Sequence, residues 1–548
     1  MDRCLQIHEI IQNICAHAAD KRSLLHMALS SRRFLAPALD ALWHDIDSLL
    51  PLITCLKSTN DLWDTEDPVP HPLYEGELVA VLHPIRAITR EDLERYTDFY
   101  APRIRIFRPS VLEKEILSIE AFQALQLATE GRNGALAPLV KTLEWPSPRH
   151  LSGELEERFA RLLSPYMLLF YGNDITSLTF NLPPDIPLHK GSLELALKRS
   201  SRNLKALAIE QRAEPTEDPI FILQCICVHN LDLLESLQLP FLADELVQPV
   251  ASLPSLKTLI IADCGVNGGY SVLSPISGGL AKKVAGSPAF PCLECLKVDG
   301  AHITYLPGLL ACFPSANAIA SLEFTVRFWN LDPITLSEAQ KLIDAIVLHC
   351  NPLTLTSIQL LDQIAHNQVE EPVVVDIRDE LDLSGLFKFT NIAQLSVQVQ
   401  PAIMITPEDI ARIPLAFPKI RTLSLCGRVP NYHPPRINHI HFLSLLQNCP
   451  FLTHLGLKFD LATVEGIGSP GAPFRLETVS VGDSPMYLPS EVISFFRYNL
   501  PNLRSLAFAI PKNPTVLARR WDLVCEGLGV DNPHRYFNYN LTNLTSYM

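Results

Sequence analysis

Leu256-Lys-Thr-Leu-Ile-Ile261 and Leu293-Glu-Cys-Leu-Lys-Val298 are two copies of one six-residue phrase: aliphatic, two variables, aliphatic, one variable, aliphatic or aromatic. Leu204-Lys-Ala-Leu-Ala-Ile209, Leu234-Glu-Ser-Leu-Gln-Leu239, Ile420-Arg-Thr-Leu-Ser-Leu425, Leu452-Thr-His-Leu-Gly-Leu457 and Leu503-Arg-Ser-Leu-Ala-Phe508 repeat it. Looser copies centre on Leu143, Leu178, Leu322, Ile358, Leu395 and Val479. The thirteen centres lie 22 to 37 residues apart, about 30 on average. The second half of the phrase alternates with a period of two, as a strand with one buried face does. One such unit cannot hide its apolar edge alone, so recurrence at this spacing predicts stacked units, a solenoid. A solenoid is usually a surface for holding something.

Between the phrases run apolar stretches of helical spacing: Leu193-Leu195-Leu197, Leu342-Ile343-Ile346-Val347 and Val492-Ile493-Phe495-Phe496. A period near 30 lies toward the upper end for leucine-rich repeats and leaves room for a helix opposite each strand. The expected fold is α/β: an irregular leucine-rich-repeat horseshoe over 136–510, with parallel concave strands and convex helices. At roughly 4.8 Å per strand, thirteen strands would make an inner edge of about 60 Å, wide enough for a protein domain. Residues 511–548 are expected to form a C-terminal cap or tail. Residues 49–135 read as a linker and an atypical capping repeat. Within them 57–75 is acidic and proline-broken and reads as an exposed loop. Thr89 with Asp92 marks a helix start, Glu91 to Tyr100 a helix, Ile104 and Ile106 a strand, and Leu112 to Leu127 a second helix. The stretches Gly265–Gly286 and Gly466–Gly471 read as flexible insertions.

The first 48 residues are different. Ile7, Ile10, Ile11 and Ile14 fall at helical spacing. Asp20-Lys-Arg makes a polar break, Ser23 is a candidate cap for a helix carrying Leu24, Leu25, Ala28 and Leu29, and a third helix is expected from Ser31. Three such short helices hold little core, so they are expected to lean on a partner or on the next segment. Leu5-Gln-Ile-His-Glu-Ile-Ile11, Ser23-Leu-Leu-His-Met-Ala-Leu-Ser-Ser-Arg-Arg-Phe34 and Pro37-Ala-Leu-Asp-Ala-Leu-Trp43 resemble an F-box. With the repeats behind them, they resemble the opening of fungal F-box/leucine-rich-repeat proteins. The resemblance implies docking on a Skp-type adaptor and, through it, a cullin-based ubiquitin ligase, with a protein substrate held by the repeats. It implies adaptor-facing or motif-core roles for Leu5, Ile7, Glu9, Ile10, Ile14, Leu24, Leu29, Phe34 and Trp43. The family usually carries proline where this chain has His8.

Composition narrows the classes. Hydrophobic residues make up 47% and charged residues 19%, against a usual quarter charged, so the chain is built for burial. Forty-five basic against 59 acidic residues give a net charge of −14, which disfavours sequence-independent binding to phosphate backbones. No basic run is longer than Lys282-Lys283 or Arg519-Arg520. The thirteen cysteines are scattered through apolar runs, the opening Met-Asp-Arg-Cys lacks a signal-like pattern, and no stretch reaches about 18 apolar residues. A reduced, intracellular protein of cytoplasm or nucleus is expected, with no membrane and no nucleic acid.

No phosphate loop, nucleotide fingerprint, nucleophile elbow or paired-histidine zinc helix occurs. Cys292 and Cys295 have metal-ligand spacing but no second pair nearby, and Cys264 reads as a turn-anchoring residue of its repeat. No catalytic residue, metal or cofactor is expected. The position before the central aliphatic is Ser or Thr in nine copies: Thr142, Ser177, Ser236, Thr258, Ser321, Ser357, Thr422, Thr478 and Ser505. Small β-compatible side chains suit the inner face of a stacked sheet. That face carries little charge, mainly Glu144, Glu210, Lys297, Asp299, Glu323 and Lys458, whereas Trp145, Phe180 and Phe324 should face the core. Partner contact is expected at the larger groups on the turns that follow strands: Phe241, Tyr270, Trp329, Arg428, Tyr432 and Tyr487. The function expected is substrate recruitment to a ubiquitin ligase. The alternatives are a leucine-rich-repeat scaffold without adaptor docking and a small-molecule receptor.

Overall fold

The computed structural model describes residues 7–18, 20–56, 62–65, 69–70, 78–110, 115–145, 163–182, 187–211, 231–240, 242, 244–262, 289–301, 303–327, 334–363, 380–399, 403–427, 433–464, 473–509 and 515–532. The chain forms two compact units, the first holding the strands up to Ser236–Leu239 and the second those from Thr258–Ala262 onward.

All thirteen phrases are strands. In the first unit Asp45–Ile46, Ile106–Phe107, Thr142–Glu144, Ser177–Leu182, Ala206–Gln211 and Ser236–Leu239 lie parallel, each hydrogen-bonded to the next. In the second, nine strands follow the same rule: Thr258–Ala262, Cys295–Ala301, Ser321–Arg327, Ser357–Gln363, Gln394–Gln398, Thr422–Ser424, His454–Gly456, Thr478–Ser480 and Ser505–Ala507. The register aligns the phrases residue for residue, so Leu259, Leu296, Leu322, Ile358, Leu395, Leu423, Leu455, Val479 and Leu506 form one row. The thirteen central aliphatics are only 0–2% exposed. Their nine Ser or Thr neighbours are all half-buried on the other face. Each row is what one apolar edge gains by stacking on its copy: a dry seam shared with two neighbours. Trp145, Phe180 and Phe324 lie in the core, as expected.

Helices return the chain from strand to strand. Pro187–Ser200, Leu336–His349 and Pro489–Asn499 arise at the three apolar stretches named above, joined by Asp244–Ala251, Tyr305–Leu310, Pro407–Ala416, His439–Asn448 and Val516–Leu528. Several start at a capping box, such as Thr335 with Glu338 and Thr406 with Asp409, which satisfies backbone donors the first turn leaves open. Among the described residues, two of the returns carry a 3-10 helix, Ser164–Leu169 and Ser384–Lys388. An asparagine staple ties neighbouring repeats where helices end. Buried Asn317 donates to the carbonyl oxygens of Pro314 and His349, Asn351 donates to Asn317 O, and Asn391 to Leu353 O. Helix Val516–Leu528 ends at left-handed Gly529, and Asp531 bridges to the last strand. An architecture of parallel strands in seams with helical returns is an α/β leucine-rich-repeat solenoid.

Helices α1 (His8–Ala16), α2 (Lys21–Ser30) and α3 (Arg32–His44) open the chain. Asp20, rather than Ser23, caps α2: its carboxylate accepts from Ser23 N at 2.7 Å. Ser31 caps α3 as expected. The trio has a small core of Ile11, Cys15, Leu24, Ala28 and Ala38 and leans on the segment after it. Trp43 stacks on Tyr100 at 4.4 Å, Arg103 pairs with Asp40, and Arg108 pairs with Asp45. Most telling, α3 runs straight into the strand Asp45–Ile46, which pairs with Ile106–Phe107. The residues on both sides of position 48 belong to the first compact unit.

Three further expectations change here. Trp63–Thr65 and Val69–Pro70, inside the expected loop, are strands that pair antiparallel with Leu78–Pro84. The expected helix over Leu112–Leu127 is a strand, Glu115–Leu117, followed by the helix Ile119–Ala128, because Ser118 caps a later start. The expected helix over Glu91–Tyr100 begins at the Thr89–Asp92 capping box but loosens into a π turn from Tyr96. Burial pattern alone does not separate these outcomes in short apolar segments.

Asp92 is the most strongly held carboxylate of this region. It accepts two bonds from Arg86, at 2.8 and 2.9 Å, and two from Thr89, both at 2.8 Å. Arg86 in particular holds it well below the usual carboxylate range. A depressed folded pKa adds stability that is complete above the unfolded value of 3.8 and is lost as pH falls below it. Asp92→Asn is thus expected to cost about 1–3 kcal/mol at neutral pH, with the deficit shrinking in acid. Melting curves from pH 7 to pH 2 check it; a deficit constant over that range would refute this origin.

Candidate functional site

Two places gather the residues with binding character. The first is the helical trio. Ile7 at the N-cap of α1 and Ile14 on α1 are 47% and 41% exposed, and Leu25 and Leu29 on α2 are 46% and 75% exposed. Positions i and i+4 on α2 share a helix face, so Leu25 and Leu29 make an apolar stripe open to solvent, with Ile7 and Ile14 exposed on and beside α1. Glu9 is exposed beside them, while Ile10 and Phe34 are half-buried, Phe34 against the small core. Leu24 and Trp43 are buried, Leu24 in the small core and Trp43 against Tyr96 and Tyr100. Leu5 lies outside the described residues.

The second place lies at the far end of the second unit, where strands shorten to three residues. Ser396, Ser424, Gly456, Ser480 and Ala507 form one row across five strands, on the face opposite the core seam. Gly456 is required by close approach: a Cβ there would stand 2.3 Å from Ser424 Oγ, which accepts from Gln398 Nε2 at 3.0 Å. Cys426 follows, its Sγ 3.4 Å from Ser480 Oγ. Burial pushes that thiol up to about 11, which makes it a poor nucleophile at neutral pH.

Beyond this row stands an ion pair, Lys458 Nζ to Asp483 Oδ2 at 2.7 Å, with side chains only 9% and 10% exposed. Burial pulls the lysine below its ordinary value, and Asp483 pulls the other way. The pair lines a cavity of about 400 Å³ together with Asp460, Pro434, Tyr487 and Trp521. Trp521 is buried and donates from Nε1 to Ser484 O at 3.1 Å, which fixes the cavity wall. Tyr487, expected as a partner contact, is 64% exposed at this cavity. Phe241, Tyr270, Trp329, Arg428 and Tyr432, and the flexible insertions with Cys264, lie outside the described residues.

The remaining charges of the strand face are sparse, and Lys297 and Glu323 stand 3.5 Å apart on adjacent strands. Cys292 is exposed and Cys295 half-buried. Among the described residues no group of three or more His, Cys, Asp or Glu could hold a metal ion, and no helix is long and apolar enough to cross a membrane. No family model and no curated protein matches the chain. Among solved structures, it is similar to the leucine-rich repeat-containing protein LegL7 from Legionella pneumophila. That alignment covers 65% of this chain and 99% of the other, at 14% identity and a TM-score of 0.28. It is also similar to an internalin from Listeria monocytogenes, over 78% of this chain and 86% of the other, at 13% identity and a TM-score of 0.29. At these scores neither likeness adds to what the strand rows themselves establish.

Sequence reasoning located Tyr487 but missed Asp483, Asp460 and Trp521. Asp483 comes from the turn after one strand, Lys458 from the end of the strand before it, and Trp521 from the helix Val516–Leu528. No spacing rule joins positions so far apart. The available signal was Lys458 itself, a lone charge among small neutral residues on the strand face.

Proposed function

We propose that the protein is a recruiting subunit: its repeats hold a protein partner, and its helical trio docks on the Skp-type adaptor of a cullin-based ubiquitin ligase. The observation that carries this reading is the set of exposed apolar residues at α1 and α2, Ile7, Ile14, Leu25 and Leu29, left to solvent while the core beneath holds five small or medium residues. Exposed apolar residues concentrated on so small a unit favour a protein cover. The strand Asp45–Ile46 then ties that unit to the strands of the first compact unit. Its contribution to rate would be proximity, with the chemistry supplied by other subunits. Such partners would place the protein in cytoplasm or nucleus.

Co-purification with the adaptor tests the docking. The wild-type chain is expected to recover it, and Leu29→Glu, which puts an unpaired charge into the contact, to lower recovery at least tenfold. Equal recovery by both chains, or none by either, would sink the docking.

A second reading, a receptor for a small apolar molecule, has one observation in its favour. A cavity of about 290 Å³ opens among Leu395, Ile403, Ile413, Phe417 and Leu425, close to the lower size of ligand sites. Mass spectrometry of organic extracts from the purified chain would show a stoichiometric apolar compound on this reading and none on the first.

A further inference from the structure

We propose that the cavity of about 400 Å³ around Asp460, Asp483 and Tyr487 is the subsite that takes a basic side chain, arginine or lysine, of the protein partner. The inference rests on the reading of the repeats as a protein-holding surface and says which chemistry that surface selects.

Charge is the first argument. The cavity wall carries two carboxylates, Asp460 and Asp483, against one ammonium, Lys458, and the imidazole of His433. Lys458 is already committed to Asp483 at 2.7 Å. Asp460 accepts from Ala462 N at 2.7 Å, and among the described residues no basic side chain stands in a salt bridge with it. One negative charge is therefore left at the cavity for a cation to meet. An anion would face both carboxylates, and the one ammonium that could greet it is occupied. The helix Val516–Leu528 also starts here, but Thr515 Oγ1 already accepts from Ala518 N.

Shape is the second argument. Tyr487 presents an exposed ring at the cavity, a face on which a guanidinium or ammonium is attracted by the ring quadrupole. Pro434, Pro435 and Pro485 add apolar wall that can cover the methylene stem of a long basic side chain. Trp521 spends its one donor on Ser484 O, so the indole N–H does not compete with the incoming cation. Net charge favours the same partner class, since a chain at −14 steers basic surfaces toward itself.

Capped five-residue peptides with a central Arg, Lys or Glu in a Gly/Ser background, titrated into the full chain and followed by saturation-transfer NMR, test the proposal. The Arg and Lys peptides are expected to saturate and to bind at least tenfold more tightly than the Glu peptide. Asp460→Asn and Tyr487→Ala should each weaken the Arg peptide about three- to tenfold without moving the melting temperature. Equal affinity for Arg and Glu peptides, failure of the Arg peptide to saturate, or wild-type affinity in both variants would overturn it. Adaptor recovery by the same two variants should stay at the wild-type level. Loss of adaptor recovery in Leu29→Glu with Arg-peptide binding intact would keep the two readings apart, because each can fail alone.

Discussion

Leu259→Ala is expected to destabilise the second unit by about 2–5 kcal/mol. Leu259 is fully buried and paired in register with Leu296 on the next strand. Removing its three distal carbons loses transfer energy and leaves a void that the packed core around it cannot fully close. Thr258, one residue earlier, is half-buried on the opposite face, and Thr258→Ala is expected to cost well under about 1 kcal/mol. Denaturant unfolding of both variants measures the contrast. A larger loss from Thr258→Ala would mean that the strand register is displaced by one residue, because each such step exchanges the two faces.

Asp483→Ala is expected to cost about 3–5 kcal/mol, the usual loss when one partner of a buried ion pair is removed. The cause is what remains: a Lys458 ammonium 9% exposed with its counter-charge gone. Replacing both, Lys458→Met with Asp483→Leu, should recover most of the loss, since the desolvation of both charges is then avoided. The pH dependence follows from the lysine. Burial lowers its folded value below 10.5, so the unfolded chain holds the proton more tightly and stability rises as pH climbs through that window. Without Asp483 the depression deepens, and the deficit of Asp483→Ala should narrow between neutral pH and pH 10. A single variant within about 1 kcal/mol of wild type, or a double variant worse than the single, would show that the pair is solvated and carries little.

These two residues mark the line between what could be read from the sequence and what could not. Leu259 sits in a phrase copied thirteen times, and copying carries the information: strand, buried face, register and neighbour are all implied by one period of about 30. The same logic placed Trp145, Phe180 and Phe324 inside. It failed where nothing repeats. Glu115–Leu117 read as helix and Trp63–Thr65 as loop, because each pairs with Leu78–Pro84, a partner no local pattern announces. The cap of α2 was misplaced by three residues because Asp20 and Ser23 are both good caps, and backbone geometry chose between them.

The candidate sites divide along the same line. The apolar residues of the helical trio were legible, but only the packed helices decided which face solvent, Ile14 and Leu29, and which are core, Leu24 and Trp43. Likewise Tyr487 was visible as a large residue after a strand, whereas its setting beside Lys458, Asp483 and Trp521 was not. By itself the sequence determined the repeat, the strand faces and the seam, because hydrophobic burial along a stacked lattice depends on spacing alone. Only the tertiary structure decided the junction of α3 with the sheet, the buried ion pair and the cavity around it. Those join residues from different turns and helices, and their meeting depends on how each return segment folds back across the strands.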